Sequence, residues 1–301
     1  MNILFPANPI KPKAVEQSFG WEAAAAKEAG FGVGRIDLEV VLGGDVKIAN
    51  ITPHSEVVYR GWLVKPEQYR AIEANLREHH QSRLVSESAH YEEAYLLPNW
   101  YRLLPEGTTP RSIWLEPGTD LSNLDEIAKR VAAAFDGPVV VKDYVKSAKH
   151  KWFDACFIRD ARNEDEVKRV VRNFLDIVRE GLVGSLVFRQ YLDFRRIGIH
   201  PKLGMPLVNE WRAFLCYGKV IYLAPYWSNG DYSKGDKPNA APIEMLAAGL
   251  RHHQFSSIDV AQNADSADWS VMEINPPGAA GVPEGGNVRD FYQALRASAR
   301  S

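Results

Sequence analysis

Apolar positions along this chain recur with two periods, and the switches between them mark its elements. The clearest helix is Glu164 to Glu180. There Val167, Val170, Val171, Phe174, Leu175 and Val178 fall at i, i+3, i+4, i+7, i+8 and i+11, which lines one stripe of a helix, and Gly181 stops it. A second helix is predicted from a Ser122 cap to Phe135, with Leu124, Ile127, Val131 and Phe135 facing inward. Further helices are predicted over Trp21 to Ala29, Pro66 to His79, Pro242 to His253 and Val288 to Ala297. Short apolar runs predict strands at Ile3 to Pro6, Val57 to Val64, Ile113 to Leu115, Val139 to Lys142, Leu186 to Leu192, Ser257 to Ala261 and Trp269 to Ile274. Glu210 to Cys216 and Lys219 to Leu223 read as a hairpin around Tyr217-Gly218.

Strands and helices alternate throughout, so the fold class is α/β (α+β). The β-α-β-α rhythm of residues 1–105 predicts a small open sheet, ended by the turn-rich stretch Pro105 to Pro110. Residues 106–301 then form a second unit. With 301 residues, 46% hydrophobic and 25% charged, the chain has the composition of a soluble globular protein. A net charge of −2 argues against a nucleic-acid partner. The two cysteines, Cys156 and Cys216, lie far apart and suggest neither a disulfide framework nor a zinc motif. The first residues lack a signal-peptide pattern, and no apolar run reaches the roughly 18 residues of a membrane helix. A cytoplasmic location and no membrane partner are therefore expected.

Four segments carry candidate chemistry. Asp259 sits in FSSIDVA, and Glu273 and Asn275 sit two apart, hence on one face, in WSVMEINPP. Three hard oxygen donors suit Mg²⁺ held together with phosphates; an ordinary turn before Pro276-Pro277 would also use them. Lys142 ends a Val-Val-Val strand, a costly position unless its ammonium reaches an anion or solvent. Lys146, Lys149 and Lys151 follow it, as a phosphate-binding loop or as a solvated one. Glu210 and Arg212 share a strand face, where Arg212 can fork onto phosphate oxygens or pair across the sheet. Gln190 to Asp193, at the end of LVFRQYLDF, offer an apolar slot with backbone edges of the kind an adenine needs.

The order of these pieces resembles the ATP-grasp superfamily over roughly residues 105–285, with a small N-terminal β/α domain before it. YRGW near Arg60 and VKDYVKSAKHKW are similar to the ATP-grasp clade named for one arginine and two lysines. The resemblance implies ATP and Mg²⁺ as cofactors. It makes Lys142 the strand lysine on the nucleotide phosphates and Lys146 or Lys149 the second. It places adenine at Gln190, Tyr191 and Leu192, and ribose at Asp193. Arg212 becomes the arginine on the transferred phosphoryl group, with Glu210 beside it at the nucleotide. Asp259, Glu273 and Asn275 become the metal ligands. Two departures stand out. Arg111 or Arg102 replaces the lysine usual before the first strand, and Ser147-Ala148 replaces the usual glycine-rich loop.

Such enzymes generally make an acylphosphate that a nucleophile then attacks, so a ligase joining a carboxylate to an amine is expected. A kinase of the same fold and a non-catalytic nucleotide-binding protein are the alternatives. The expected partner is a small-molecule or peptide substrate, with a homodimer possible in such a family. Arg60, Trp62 and the loop Tyr226 to Asn239 are expected on the acceptor side, the loop as a mobile lid. His252-His253 is expected not to bind metal, because neighbours on a helix point about 100° apart and no further ligand is near in sequence.

Overall fold

The computed structural model describes residues 1–299. Among the described residues, three larger sheets and one two-stranded ribbon, Arg196–Ile199 antiparallel to Pro206–Val208, organise the chain. In the first, Asn2–Pro6 lies between Gly32–Ile36 and Glu56–Tyr59, with Arg83–Leu84 beyond; all run parallel, and Ile48–Ala49 closes one edge antiparallel. Asn2–Pro6 is buried along its length, as a central parallel strand with both faces covered must be. The short strands at Gly32, Ile48 and Arg83 escaped the sequence pattern, being brief, glycine-bearing or polar.

The strand expected over Val57–Val64 ends at Tyr59. Arg60 turns into the interior instead, where Nη2 donates to both oxygens of Glu22 at 2.9 and 2.8 Å. Tyr292 Oη donates to the same carboxylate at 2.7 Å. Arg60 is 1% exposed, so the expectation that it lines an acceptor surface is corrected: its charge is committed to a buried pair. Trp62 is half exposed, and its Nε1 donates to Glu16. The helix Val288–Ser298 packs on Gly20–Glu28 and shares a core with Phe5, Phe214 and Phe255. The end of the chain thus closes on its beginning.

The second sheet runs Ser112–Trp114, Leu186–Gln190, Val139–Asp143, Phe157–Ile158, all antiparallel. Helices Leu124–Ala134 and Glu164–Val178 cover one face. On the latter, Val167, Val170, Val171 and Phe174 are fully buried, worth roughly 1.5–3 kcal/mol each; a charge at Val170 would undo the layer. Asn163 caps this helix by accepting from Glu166 N at 3.1 Å. The other is capped by Asn123, not by the expected Ser122, whose hydroxyl is taken by Asp120. Because side chains alternate, Val139, Val141, Leu186 and Phe188 fill the helix-covered face. Val140, Lys142, Val187 and Arg189, paired as Val140↔Arg189 and Lys142↔Val187, point the other way.

That other face looks toward the third sheet: Lys219–Pro225, Glu210–Cys216, Ser256–Gln262, Trp269–Asn275, again antiparallel. The hairpin turns through Tyr217 and Gly218, with φ of 49° and 74°, the positive pair a type I′ turn requires. The helix expected over Pro242–His253 is only Ala240–Leu246, followed by a 3₁₀ turn at Ala248–Leu250. A Cβ on Gly249 would fall 2.0 Å from the Leu103 carbonyl oxygen, so close packing of this turn takes precedence over helix continuation. Among the described residues no helix is long and apolar enough to cross a membrane.

Candidate functional site

Between the second and third sheets lies a cavity of about 380 Å³. One part is apolar, lined by Val140, Trp152, Tyr191, Leu192, Met205 and Trp227. Tyr191 is held edge-on to Phe157 at 5.0 Å. Its backbone N–H donates to Pro138 O at 2.9 Å, and Gln190 N–H donates to Arg111 O at 2.8 Å. The Leu192 backbone N–H and C=O have no hydrogen bond among the described residues, so both remain available to the edge of a bound ring. Asp193 is not part of the lining; it faces Arg196 at 3.8 Å.

The other part is charged. Arg212, Asp259 and Glu273 are direct cross-strand neighbours, so two carboxylates stand opposite each other. Like charges in that position repel, and the structure answers with cations on both sides. Arg212 grips Asp259 with two hydrogen bonds, Nε–Oδ1 at 2.7 Å and Nη2–Oδ2 at 2.8 Å. Lys142 Nζ reaches Glu273 Oε1 from the opposing sheet at 3.3 Å. A β-bulge falls between Asp259 and Val260, a device common beside active sites for re-aiming side chains. Asn275 Nδ2 donates to Asp259 Oδ2 at 3.1 Å.

Electrostatics follow from this crowding. Burial pulls the Lys142 ammonium below its ordinary value, against the attraction of Glu273. Burial alone would raise Glu273, but Lys142, Lys149, Arg212 and Arg189 hold it below the ordinary carboxylate value. Desolvation opposes charge on Lys149, yet Tyr226, Glu210, Glu273 and Asp259 raise it. The Glu210 carboxyl is pushed up to about 7 by burial, which prevails over Lys149 and Arg212, while Asp259 and Glu273 add to the rise. Its side chain makes no hydrogen bond or ion pair among the described residues. The Cys156 thiol, raised to about 12 by burial, is no nucleophile at neutral pH.

Lys142, Lys146, Lys149, Gln190, Tyr191, Leu192, Glu210 and Glu273 all line the cavity, whereas Arg212, Asp259 and Asn275 stand behind Glu273. The loop after Lys142 is ordered without glycine. Asp143 Oδ1 accepts the backbone N–H groups of Val145 and Lys146, and its Oδ2 accepts that of Val183. Asp143 therefore serves the backbone and pairs with none of the loop lysines.

Sequence reasoning missed Arg189. It is buried in the cavity wall, where Nη1 donates to Met272 O at 2.7 Å and Nη2 to Thr109 Oγ1 at 2.8 Å. Burial lowers it to about 10. The signal was present: an arginine inside LVFRQ costs as much as a lysine closing VVVK. Arg102 and Arg111, named as replacements for a missing lysine, pack instead over the rings of Trp114 and Phe135.

The loop after Tyr226 is fastened rather than free. Asp236 is held by Asn209 and Gln262, and Tyr232 Oη donates to Glu210 O at 2.8 Å. This corrects the lid expectation, since buried polar partners tie the loop to the third sheet. The argument against a His252-His253 metal site also loses its premises. The pair is not helical, and Glu93 meets both rings.

Residues 129–295, more than half of the chain, match the family model for an ATP-grasp domain, family 3 of the clade named for one arginine and two lysines. The chain belongs to this ATP-grasp family. Solved structures agree on the fold. The ATP-grasp ligase PsnB complexed with minimal precursor, Mg and ADP matches with a TM-score of 0.56 at 12% identity, covering 99% of this chain and 98% of that one. A RimK domain ATP-grasp protein from Sphaerobacter thermophilus gives 0.60 at 11%, covering 99% of both. D-Alanine–D-alanine ligase from Bacillus anthracis complexed with ATP gives 0.55 at 14%, covering 99% and 98%. No curated protein matched the sequence.

Proposed function

We propose that this chain is an ATP- and Mg²⁺-dependent ligase that activates a carboxylate as an acylphosphate for attack by the amine of a peptide or amino-acid substrate. The observation that carries the reading is the opposed pair Asp259–Glu273, clamped by Arg212 and Lys142 at the end of an apolar slot. In this reading adenine lies between Val140, Trp152, Tyr191 and Met205, with its edge on the Leu192 backbone. The phosphates run toward Lys142, Lys146 and Lys149. Residues 106–301 supply this site, and residues 1–105 face the acceptor.

The donor set fits magnesium. Glu273 has one oxygen on Lys142, and Asn275 Oδ1 accepts no hydrogen bond among the described residues. Both offer oxygen to an ion that prefers one or two protein ligands plus phosphates. Asp259, with both oxygens on Arg212, orients that set. When bound, Mg²⁺ would neutralise phosphate charge and polarise the bond to the transferred group. The protein's share is fixed cations: Lys142 in the cavity wall and Arg212 behind Glu273, both oriented by carboxylates, would supply positive field without reorganisation as charge develops on the phosphoryl oxygens. Glu210, held near neutrality in its titration, can take a proton from an incoming ammonium so that the free amine attacks.

The peptide preference draws support from PsnB, which was solved with its precursor. The experiment is ATP turnover with a panel of carboxylates in the presence of hydroxylamine. Hydroxamate formation with ADP release is expected. Phosphoryl transfer to a hydroxyl acceptor, with ADP released and no hydroxamate formed, would make it a kinase, and no nucleotide turnover with any acceptor would leave a binding protein.

A further inference from the structure

Outside this cavity, one cluster joins parts of the chain remote in sequence. Helix Ser88–Tyr95 carries His90 and Glu93, three residues apart and so on one face. The segment after the Ala248–Leu250 turn brings His252 and His253 against it. Nε2 of His252 lies 2.7 Å and Nε2 of His253 2.6 Å from the same oxygen, Oε2 of Glu93. The three donor atoms lie within 4.8 Å of one another. His90 stacks on the His253 ring at 4.8 Å, with Nδ1 on Gln254 Oε1 at 3.0 Å.

We propose that Glu93, His252 and His253 bind a zinc ion that clips the helix Ser88–Tyr95 to the C-terminal part of the chain. Two imidazoles and one carboxylate are a common zinc donor set, with water completing a tetrahedron. Such a site needs each donor about 2.0–2.2 Å from the metal, which spreads the donors to about 3.3 Å from one another. Glu93 and His252 have room to make that adjustment, since they are 30% and 47% exposed, while His253 is fully buried. The buried ring is the preformed half of the site. Its backbone is pinned on both sides, His253 N–H donating to Leu250 O at 2.9 Å and Tyr217 N–H to His253 O at 3.1 Å. Its Nε2, aimed at Glu93, presents a lone pair to the ion when the ring proton of the neutral imidazole sits on Nδ1. His253 Nδ1 has no hydrogen-bond partner among the described residues. A missing outer hydrogen bond costs roughly 10–100-fold in metal affinity, which points to a micromolar rather than a nanomolar site.

The test uses untagged, full-length protein stripped with EDTA and titrated with Zn²⁺ alone, followed by calorimetry and by Tm. One equivalent is expected to bind and to raise the Tm. His252→Ala, at a half-exposed position, is expected to keep the fold and weaken binding at least 100-fold; Glu93→Gln should weaken it at least tenfold. Co²⁺ should give the visible absorption of a tetrahedral site in the wild type and not in His252→Ala. Absence of zinc uptake by the wild type, or equal uptake by wild type and both variants, would overturn the proposal. Each variant's Tm without metal reports folding separately, and Glu273→Gln, a change outside the cluster, should bind zinc as the wild type does.

Discussion

Replacing Arg212 by Met tests how the charged end of the cavity is held. Asp259 is 1% exposed and sits across from Glu273. It loses two charge-assisted hydrogen bonds in this variant and keeps only that from Asn275 at 3.1 Å. Removing one partner of a buried ion pair costs about 3–5 kcal/mol. Two hydrogen bonds to a charged group at about 1.5–3 kcal/mol each give the same order. Urea unfolding followed by tryptophan fluorescence should therefore show a loss of about 3–5 kcal/mol for Arg212→Met. Adding Asp259→Asn removes the stranded charge but keeps its shape, so the double variant should recover at least about 2 kcal/mol of that loss. The reasoning fails if Arg212→Met costs less than about 1 kcal/mol, or if the two substitutions simply add. In turnover, loss of this cation should lower kcat by about 10²–10³-fold, the usual cost of one charge-stabilising donor.

Two further outcomes follow from buried charge. Glu210 titrates near 7 in the fold against an ordinary 4.5, so the folded state keeps a proton that the unfolded chain releases. That proton stabilises fully below about pH 4.5, and its contribution is lost as pH rises through 7. Glu210→Gln should match the wild type near pH 4 and melt higher at pH 8, at about 1.4 kcal/mol per unit of displacement; equal melting at pH 8 contradicts the assignment. Arg60→Met strands Glu22, which is 2% exposed, and should cost about 3–5 kcal/mol in urea unfolding. Protein that stays folded at low temperature should keep its KM for the acceptor, and a KM rise of tenfold or more would return Arg60 to the acceptor surface.

The periodic elements were legible because each buries a single face. The Glu164 helix needed only its valine stripe, and the hairpin at Tyr217-Gly218 only its turn residues. Lys142 was legible through cost, as a cation closing a valine strand, whereas Glu273 and Asn275 were legible only as two oxygens on one strand face, which an ordinary strand end also presents. Arg189 carried the same signal as Lys142 inside an apolar strand and went unread. Long-range pairing was not legible. Nothing local to YRGW says that Arg60 meets Glu22, and nothing near His252 announces Glu93. The N-cap at Asn123 depended on Asp120 capturing Ser122 first, a competition decided by geometry. The tied-down loop after Tyr226 rests on Asn209 and Gln262, which lie on other elements.

The central claim is that Lys142 and Glu273, joined across two sheets, mark the Mg²⁺-nucleotide site. Its most direct test is the Tm with and without ATP and with and without Mg²⁺, in the wild type and in Glu273→Gln. A ligand at 100 times its Kd stabilises the fold by about 2.7 kcal/mol, which at about 2.1 cal/mol/K of unfolding entropy per residue over 301 residues is a rise of roughly 4 °C. The account predicts that rise for the wild type only when ATP and Mg²⁺ are both present, and its near loss in Glu273→Gln. A wild type that ignores ATP at millimolar concentration, or a variant that responds as fully as the wild type, would contradict it.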